Sequence, residues 1–465
     1  MARAKRRLVV VSNRGPFRMQ IVGGRKRPVR AAGGLVAALD PVLRARGGVW
    51  VSTGDGDLPK DLRIDGARLP YEIAQVKLTR SVAEGYYEGV SNAMLWPIMH
   101  SMAATVRMTG PAFEDYATAN RAFCEAVLAS SKDSDLIWVQ DFHLMLLPAM
   151  LRAERRRAHI GWFCHIPWPG SDIFRVLPWR EAILQGLLGA DLIGFHTEGY
   201  AQNFLRCVND LVPAVHVDFS RMQIRHGRRT VRVVVAPIGV PLDAIQTLAA
   251  DPRVSAEVER IQQWVNNRRI ILGVDRLDYT KGIEQRLLAF EQLLRSDRAA
   301  RNRYVMVQIM VPSRTDVKAY ADLKTRIDQR VGDINGRYAS AGRIPIQYFY
   351  RNLPPPQLYA HYRAADVALV TPLRDGMNLV ALEYVACRMQ GGGVLVLSEF
   401  AGAAEYLEGA LRVNPYDVHD MATTLKAALA MTADEQEPRM HRLRAEVHKL
   451  DVHRWADGYI AQLER

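Results

Sequence analysis

Short apolar runs alternate along the chain with longer stretches in which apolar residues recur every three or four positions. The runs are bounded by turn residues and read as buried strands; the stretches read as amphipathic helices packed on them. In the first half, strands are expected at 8–11, 48–52, 136–140, 160–165 and 192–195, with helices at 35–46, 112–130, 179–188 and 200–211. Segments 222–225 and 230–236, joined across His226 and Gly227, read as a hairpin. Pro237, Ile238, Gly239, Val240 and Pro241 read as a linker, after which a second series begins. Its strands fall at 270–274, 304–310, 346–348, 367–371 and 394–398, and an amphipathic helix around Trp455, Tyr459 and Ile460 occupies 452–463. Such alternation predicts an α/β protein with two open parallel sheets, each of which binds ligands at the carboxyl ends of its strands.

Length agrees, because 465 residues exceed one ordinary core. Hydrophobic residues at 49% and charged residues at 24% exclude a disordered or fibrous class. No run of 18 apolar residues exists, so no membrane span is expected. The apolar run after the basic head MARAKRR is only four residues long before Ser12, too short for a signal peptide. Cys124, Cys164, Cys207 and Cys387 form neither a CxxC pair nor a zinc spacing, which fits free thiols in a reducing, cytoplasmic compartment. The net charge of +13 favours anionic partners, with nucleic acid, anionic lipid and phosphorylated metabolites all in scope. The basic residues are spread, and their densest runs, 5–7 and 25–30, are short, which fits a solvated surface better than a nucleic-acid track.

The loops after strands carry the candidate chemistry. The stretch 274–282, VDRLDYTKG, opens a helix and sets Arg276 and Lys281 five positions apart. Two cations with free helix N–H groups suit a diphosphate, although pairing with Asp275 and Asp278 in a surface loop fits the spacing equally. The stretch 371–378, TPLRDGMN, also joins a strand to a helix. There Gly376 admits a close ligand, Asp375 can accept from sugar hydroxyls and Glu383 from a ribose diol; the bland alternative is that Asp375 and Asn378 only cap the helix. Arg314 follows the strand at 304–310 as a possible phosphate clamp. In the first half, Arg14 ends strand one, Gly33 and Gly34 open the next helix, Asp141 and His143 follow the strand at 136–140, and His165 ends the next. Tyr87 and Trp96 flank Ser91 and Asn92, as a polar-aromatic wall or as core. Asp55, Gly56 and Asp57 form a D-x-D string, read as an acidic turn with no metal.

At these residues the chain resembles the trehalose-6-phosphate synthase family of retaining glycosyltransferases. The matching strings are VSNRGP at 11–16, AGGLV at 32–36, YYEGVSNAMLWP at 86–97, WVQDFHLMLLP at 138–148 and HIPWP at 165–169. They continue as DRLDYTKG at 275–282, PSRTDVKAY at 312–320, INGRY at 334–338, TPLRDGMNLVALEY at 371–384 and VLVLSEFAGAA at 394–404. The resemblance implies a GT-B architecture, with two Rossmann-like domains facing a central cleft. Residues 1–237 would bind the acceptor, 238–448 the nucleotide-sugar, and the helix at 449–465 would cross back to the first domain. The implied reaction moves glucose from a nucleotide-glucose, UDP-glucose favoured, to glucose 6-phosphate. Arg276 and Lys281 would bind the diphosphate, Glu383 the ribose, Asp375 the transferred glucose, and Gly34, Gly376, Met377, Asn378 and Leu379 the donor through backbone, with His165 beside the donor sugar. Arg14, Tyr87, Trp96, Asp141 and Arg314 would meet the acceptor. The resemblance implies no cofactor and no metal. Its implied partners are the small-molecule substrates, with a homo-oligomer left open and neither nucleic acid nor membrane indicated.

Three features depart from the family pattern: Thr53 replaces a second Trp, Gln140 replaces a His, and the loop expected at 17–30 is long and basic. A sister glucosylglycerol-phosphate synthase, echoed in PWREAI at 178–183, is the alternative enzyme. A non-catalytic sugar-phosphate sensor or a nucleic-acid binder are alternatives of other classes. A sensor would be signalled by loss of Arg276, Lys281, Asp375 or Glu383, and all four are present.

Overall fold

The computed structural model describes residues 6–22, 25–31, 34–55, 57–59, 61–64, 67–108, 110–314, 317–340 and 342–465. Lys5, Ala32, Gly33, Gly56, Thr315 and Asp316, which belong to strings considered above, lie outside the described residues. The chain divides into two compact units, one running to Ile238 and including Val452–Arg465, the other Gly239–Asp451.

In the first unit, the described residues include a sheet of nine strands. Its parallel body runs Glu72–Val76, Val49–Thr53, Leu8–Arg14, Leu136–Gln140, His159–Phe163, Leu192–Phe195. Numbered by chain order these are 3-2-1-4-5-6, the doubly wound Rossmann order. Arg229–Val235 extends the sheet in parallel, and Gln223–His226 and Val215–Asp218 finish it antiparallel. The central strands are continuous apolar runs because both faces are covered; Leu8, Val9, Val10 and Val11 are all fully buried.

The last helix, Val452–Leu463, packs on this sheet. Tyr459 lies over two glycines: a Cβ at Gly161 or Gly194 would come within 2.8 or 2.7 Å of its side chain. Its hydroxyl reaches the carbonyls of Trp162 (3.0 Å) and Leu192 (2.9 Å), and its ring stacks on Trp138 at 4.7 Å.

The second unit repeats the order. Its sheet runs Ile346–Tyr350, Tyr304–Val311, Arg269–Arg276, Val367–Val370, Val394–Ser398, Leu411–Val413, all parallel and again 3-2-1-4-5-6. Each sheet therefore has one point where strand order reverses. It lies between Leu8–Arg14 and Leu136–Gln140 in the first unit, and between Arg269–Arg276 and Val367–Val370 in the second. Ligands of such sheets bind outside the strands' carboxyl ends at this point.

Several expectations are corrected. The strand expected at 160–165 ends at Phe163, which leaves His165 two residues beyond it in the loop. Met222 takes a φ of 48° and precedes its strand rather than joining it. Within the stretch 17–30, read as a loop, Phe17–Val22 pairs antiparallel with Arg25–Arg30. It is tied down by Arg30, which bonds the fully buried Asp40 at 2.6 Å. The segment with Tyr87 forms a π-helix, Glu84–Leu95, a form usually confined to single turns. No described helix is long and apolar enough to cross a membrane.

Candidate active site

The second unit's reversal point gathers most of the expected donor residues. Arg276 is the exposed last residue of its strand, and Lys281 ends the short turn Tyr279–Lys281. Gly282 follows at a φ of 62°, where a Cβ would strike the Thr371 carbonyl at 2.1 Å. Only glycine lets this turn pack against the loop after the fourth strand. Lys281 Nζ then meets Asp375 Oδ2 at 2.5 Å, with both side chains mostly buried. Asn378 Nδ2 donates to the same carboxylate oxygen at 2.9 Å, while its Oδ1 accepts from Ala381 N–H and caps the helix Leu379–Cys387. Asn378 thus caps its helix and bonds the Asp375 carboxylate at once. Asn378 has a φ of 73°, a conformation non-glycine residues seldom adopt and one that clusters at functional sites. Backbone bonds from Asp375, Gly402 and Ala403 stitch the loop, with Gly376 and Met377 buried in it, to residues 400–403.

Asp278, 1% exposed, sits beneath this site. Burial pushes its carboxyl up, but Arg314, Arg276 and Lys281 together bring it below the usual range. Arg314 bonds Asp278 Oδ2 at 3.2 Å and also Tyr320, at a φ of 49°. Arg314, expected as a phosphate clamp, thus pairs with Asp278 in a cluster with Arg276 and Lys281, the two cations expected at the donor.

Glu383, on the second turn of its helix, accepts from the Tyr362 hydroxyl at 2.9 Å. Burial raises its carboxyl to about 7, against the opposing effect of that bond.

Sequence reasoning missed Arg286. It is completely buried and bonds Asp275 at the strand end, Gln308 on the neighbouring strand (3.1 Å) and Thr371 across the reversal point (3.1 Å). A Cβ at Gly273 would come within 2.5 Å of it. The signal was present: an Arg on the apolar face of a helix, opposite a strand glycine.

In the first unit, Gly34 opens the helix Gly34–Arg46. Arg14, exposed at its strand end, donates to the Tyr87 hydroxyl at 2.6 Å, and Tyr87 stacks on His143 with 9° between planes. Trp96 is only 4% exposed, packed at 4.2 Å on His100 and 5.7 Å on Phe142, so its ring is chiefly core. Thr53 turns its hydroxyl to the Asn13 carbonyl.

Asp141 is held at φ 71°, ψ 173°, a region left almost entirely to glycine. Three bonds impose it. Its N–H donates to Phe163 O (2.7 Å), its carbonyl accepts from Trp162 Nε1 (3.2 Å), and its Oδ1 accepts from the His165 N–H (3.2 Å). The His165 ring lies against His196, Phe163 and Trp455 of the last helix. Asp57 of the D-x-D string pairs with Lys26 at 3.8 Å. Among the described residues, no three His, Cys, Asp or Glu side chains gather as a metal site would require.

Two doubly wound units, one with paired cations and a carboxylate at its reversal point, define the GT-B class of sugar-transferring enzymes. Comparison with known proteins gives the family. The sequence profile of glycosyltransferase family 20 matches residues 6–465, and this chain belongs to that family. It is 43% identical to a trehalose-6-phosphate synthase of Mycobacterium marinum, over 98% of this chain and 93% of that one. Among solved structures, an α,α-trehalose-phosphate synthase (UDP-forming) from Burkholderia xenovorans in complex with glucose-6-phosphate superposes with a TM-score of 0.90. It shares 36% identity, covering 99% of this chain and 100% of that one. An E. coli trehalose-6-phosphate protein bound with UDP-2-fluoro glucose gives 0.88 and 35%, with 99% of each chain covered.

Proposed function

We propose that this glycosyltransferase moves a glucosyl unit from UDP-glucose to glucose 6-phosphate, with retention at the anomeric carbon, forming trehalose 6-phosphate and UDP. The observation that carries the reading is the Lys281–Asp375 ion pair at the second unit's reversal point, with Arg276 at the strand end that leads into the same turn. The relatives support the choice of substrates: one is UDP-forming and holds glucose-6-phosphate, and another holds a fluorinated UDP-sugar.

In this reading the bond from the anomeric carbon to the diphosphate oxygen breaks, and negative charge grows on the leaving group. Arg276 and Lys281 stabilise that charge, which is the largest service such a site can render. Lys281 must then turn from Asp375 towards the diphosphate, which frees the Asp375 carboxylate to accept from glucose hydroxyls. Glu383 takes the ribose diol, and backbone at Gly34 and at Gly376, Met377, Asn378 and Leu379 completes the donor site. The acceptor hydroxyl attacks on the face the leaving group departs from, and its proton passes to a diphosphate oxygen. Arg14 and Arg314 supply cations for the acceptor phosphate, and Tyr87, Trp96 and Asp141 hold its ring.

Charge neutralisation by two cations assigns the metal's usual service to side chains. Activity is therefore expected to persist in excess EDTA; full loss, restored by Mg²⁺ or Mn²⁺, would contradict this. The acceptor assignment is tested by kcat/KM for glucose, glucose 6-phosphate and glycerol 3-phosphate. Charge-assisted bonds to phosphate predict a preference for glucose 6-phosphate over glucose of about a hundredfold, reduced at least about tenfold in Arg14→Ala. Equal rates with glucose and its phosphate would overturn the clamp. A preference for glycerol 3-phosphate would overturn the acceptor.

A further inference from the structure

Gln140 stands where the resembled family usually has a histidine, at the end of the strand Leu136–Gln140 and wholly buried. Its amide makes two bonds. Nε2 lies 3.3 Å from the Trp138 carbonyl, and Oε1 lies 2.9 Å from Nε2 of His165. A carbonyl only accepts, so the amide NH₂ must face Trp138. Turning the amide over would set its oxygen against the Trp138 carbonyl oxygen and leave a buried acceptor pair unsatisfied. The amide oxygen is thereby committed to His165. Because that oxygen only accepts, His165 Nε2 must carry a hydrogen.

A neutral imidazole has one N–H, so Nδ1 of His165 is left as a bare lone pair. The surroundings keep the ring neutral: burial first and then His196, 5.4 Å away between ring centres, hold its pKa well below the usual histidine value. The other neighbours of the ring, Phe163 and Trp455, carry no charge, and the nearby Asp141 carboxylate is bonded to the backbone N–H of His165. Nδ1 makes no hydrogen bond among the described residues, and His165 is partly exposed in the loop that follows the strand His159–Phe163, at the ligand end of the sheet.

We propose that Gln140 is a positioning residue that fixes His165 as the neutral Nε2–H tautomer, so that Nδ1 meets the substrate as a hydrogen-bond acceptor for one sugar hydroxyl. The inference rests on the reading that His165 lies beside the donor sugar. It adds the sense of the bond: the hydroxyl donates and the histidine accepts. His165 is then not a proton donor to the leaving group, which accords with proton delivery by the acceptor hydroxyl itself. It also makes the site selective, because a substituent that cannot donate, such as fluorine, loses the bond at that position.

Two substitutions separate this from a packing role. Gln140→Glu keeps size and an accepting oxygen but adds a negative charge 2.9 Å from the ring, which favours the imidazolium and puts a proton on Nδ1. Gln140→Leu removes the acceptor and frees the tautomer. Histidine-selective ¹⁵N labelling of the full chain, with His165→Gln to assign its signals, reads the two ring nitrogens separately. In wild type at neutral pH, Nε2 should be protonated and Nδ1 bare. Gln140→Glu should show both protonated, and Gln140→Leu a mixture. In parallel, kcat/KM for the nucleotide-sugar should fall about three- to tenfold in both variants, the scale of one neutral hydrogen bond. In Gln140→Glu it should recover as pH rises past the ring's new pKa. A protonated Nδ1 in wild type, or ring signals unchanged by either substitution, would overturn the tautomer assignment. Ring signals that move while kcat/KM does not would overturn the acceptor role. The ring measurement needs no substrate, so it stands even if the proposed glucosyl transfer fails.

Discussion

Lys281 is the residue on which most depends. Its ammonium, mostly buried, is neutralised by Asp375. On the proposed reading a diphosphate offers it a stronger anion, so donor binding exchanges one charge pair for another. Charge-assisted bonds are worth about 1.5–3 kcal/mol each. Lys281→Ala and Arg276→Ala should each lower kcat/KM about ten- to a hundredfold, and values within about twofold of wild type for both would end the assignment. Glu383 gives a pH signature. With its carboxyl at about 7, the ionised form, which on the proposed reading accepts two ribose hydroxyls, gains population as pH rises through that value. Donor KM should therefore fall between about pH 6 and about pH 8. Tyr362→Phe deletes a bond that favours the charge, so the midpoint should move upwards; Glu383→Gln should flatten the profile. The sign for stability is opposite. A carboxyl raised from 4.5 to about 7 by folding favours the fold fully below 4.5, and that contribution is lost as pH rises through 7.

At the scale of elements, the loops hold strain that the strands and helices impose. Asp141→Ala and Asp141→Gly both delete the bond to His165 N–H, but only glycine relaxes the backbone at φ 71°. The glycine variant should be the more stable by about 1–2 kcal/mol in denaturant unfolding, with both variants impaired in acceptor KM. Arg286 is the second unit's strut. Arg286→Met leaves Asp275 buried without its partner and should cost about 3–5 kcal/mol; adding Asp275→Asn should recover part of that.

Most strands and helices were legible because their periodicities are unmixed. The helix Ala112–Ser130, the strands Leu136–Gln140, Leu192–Phe195 and Val394–Ser398, and the helix Val452–Leu463 fall where the pattern puts them. The hairpin at 17–30 was hidden by its composition. Phe17, Met19 and Ile21 alternate and precede two glycines, a hairpin signal, but Ile21 is 70% exposed and the second strand is basic. The π-helix has no pattern of its own, since its wider turn suits no 3.6 period. Many of the expected site residues were legible as positions at or just after strand ends, as Arg276 and Asp375 are. Their pairings were not: Lys281 with Asp375, Arg314 with Asp278 and Gln140 with His165 join segments 94, 36 and 25 positions apart, which no local spacing encodes.

At the scale of the whole molecule, one topology is used twice, and the chain leaves the first unit at Ile238 and rejoins it at Val452. The returning helix is part of that unit's core, with Trp455 against Phe163 and Tyr459 over Gly161 and Gly194. Tyr459→Ala should cost about 3–5 kcal/mol. By hydrogen exchange the loss should appear in Leu136–Gln140 and His159–Phe163, with Arg269–Arg276 of the second unit unaffected. Uniform loosening of both sheets would contradict that division. The function itself is tested most directly by the product. Purified chain, UDP-glucose and glucose 6-phosphate should yield UDP and a non-reducing disaccharide phosphate whose two anomeric protons both show α coupling by NMR. A β-configured glucosyl unit, a reducing product, or UDP release with no disaccharide would contradict retaining transfer to glucose 6-phosphate.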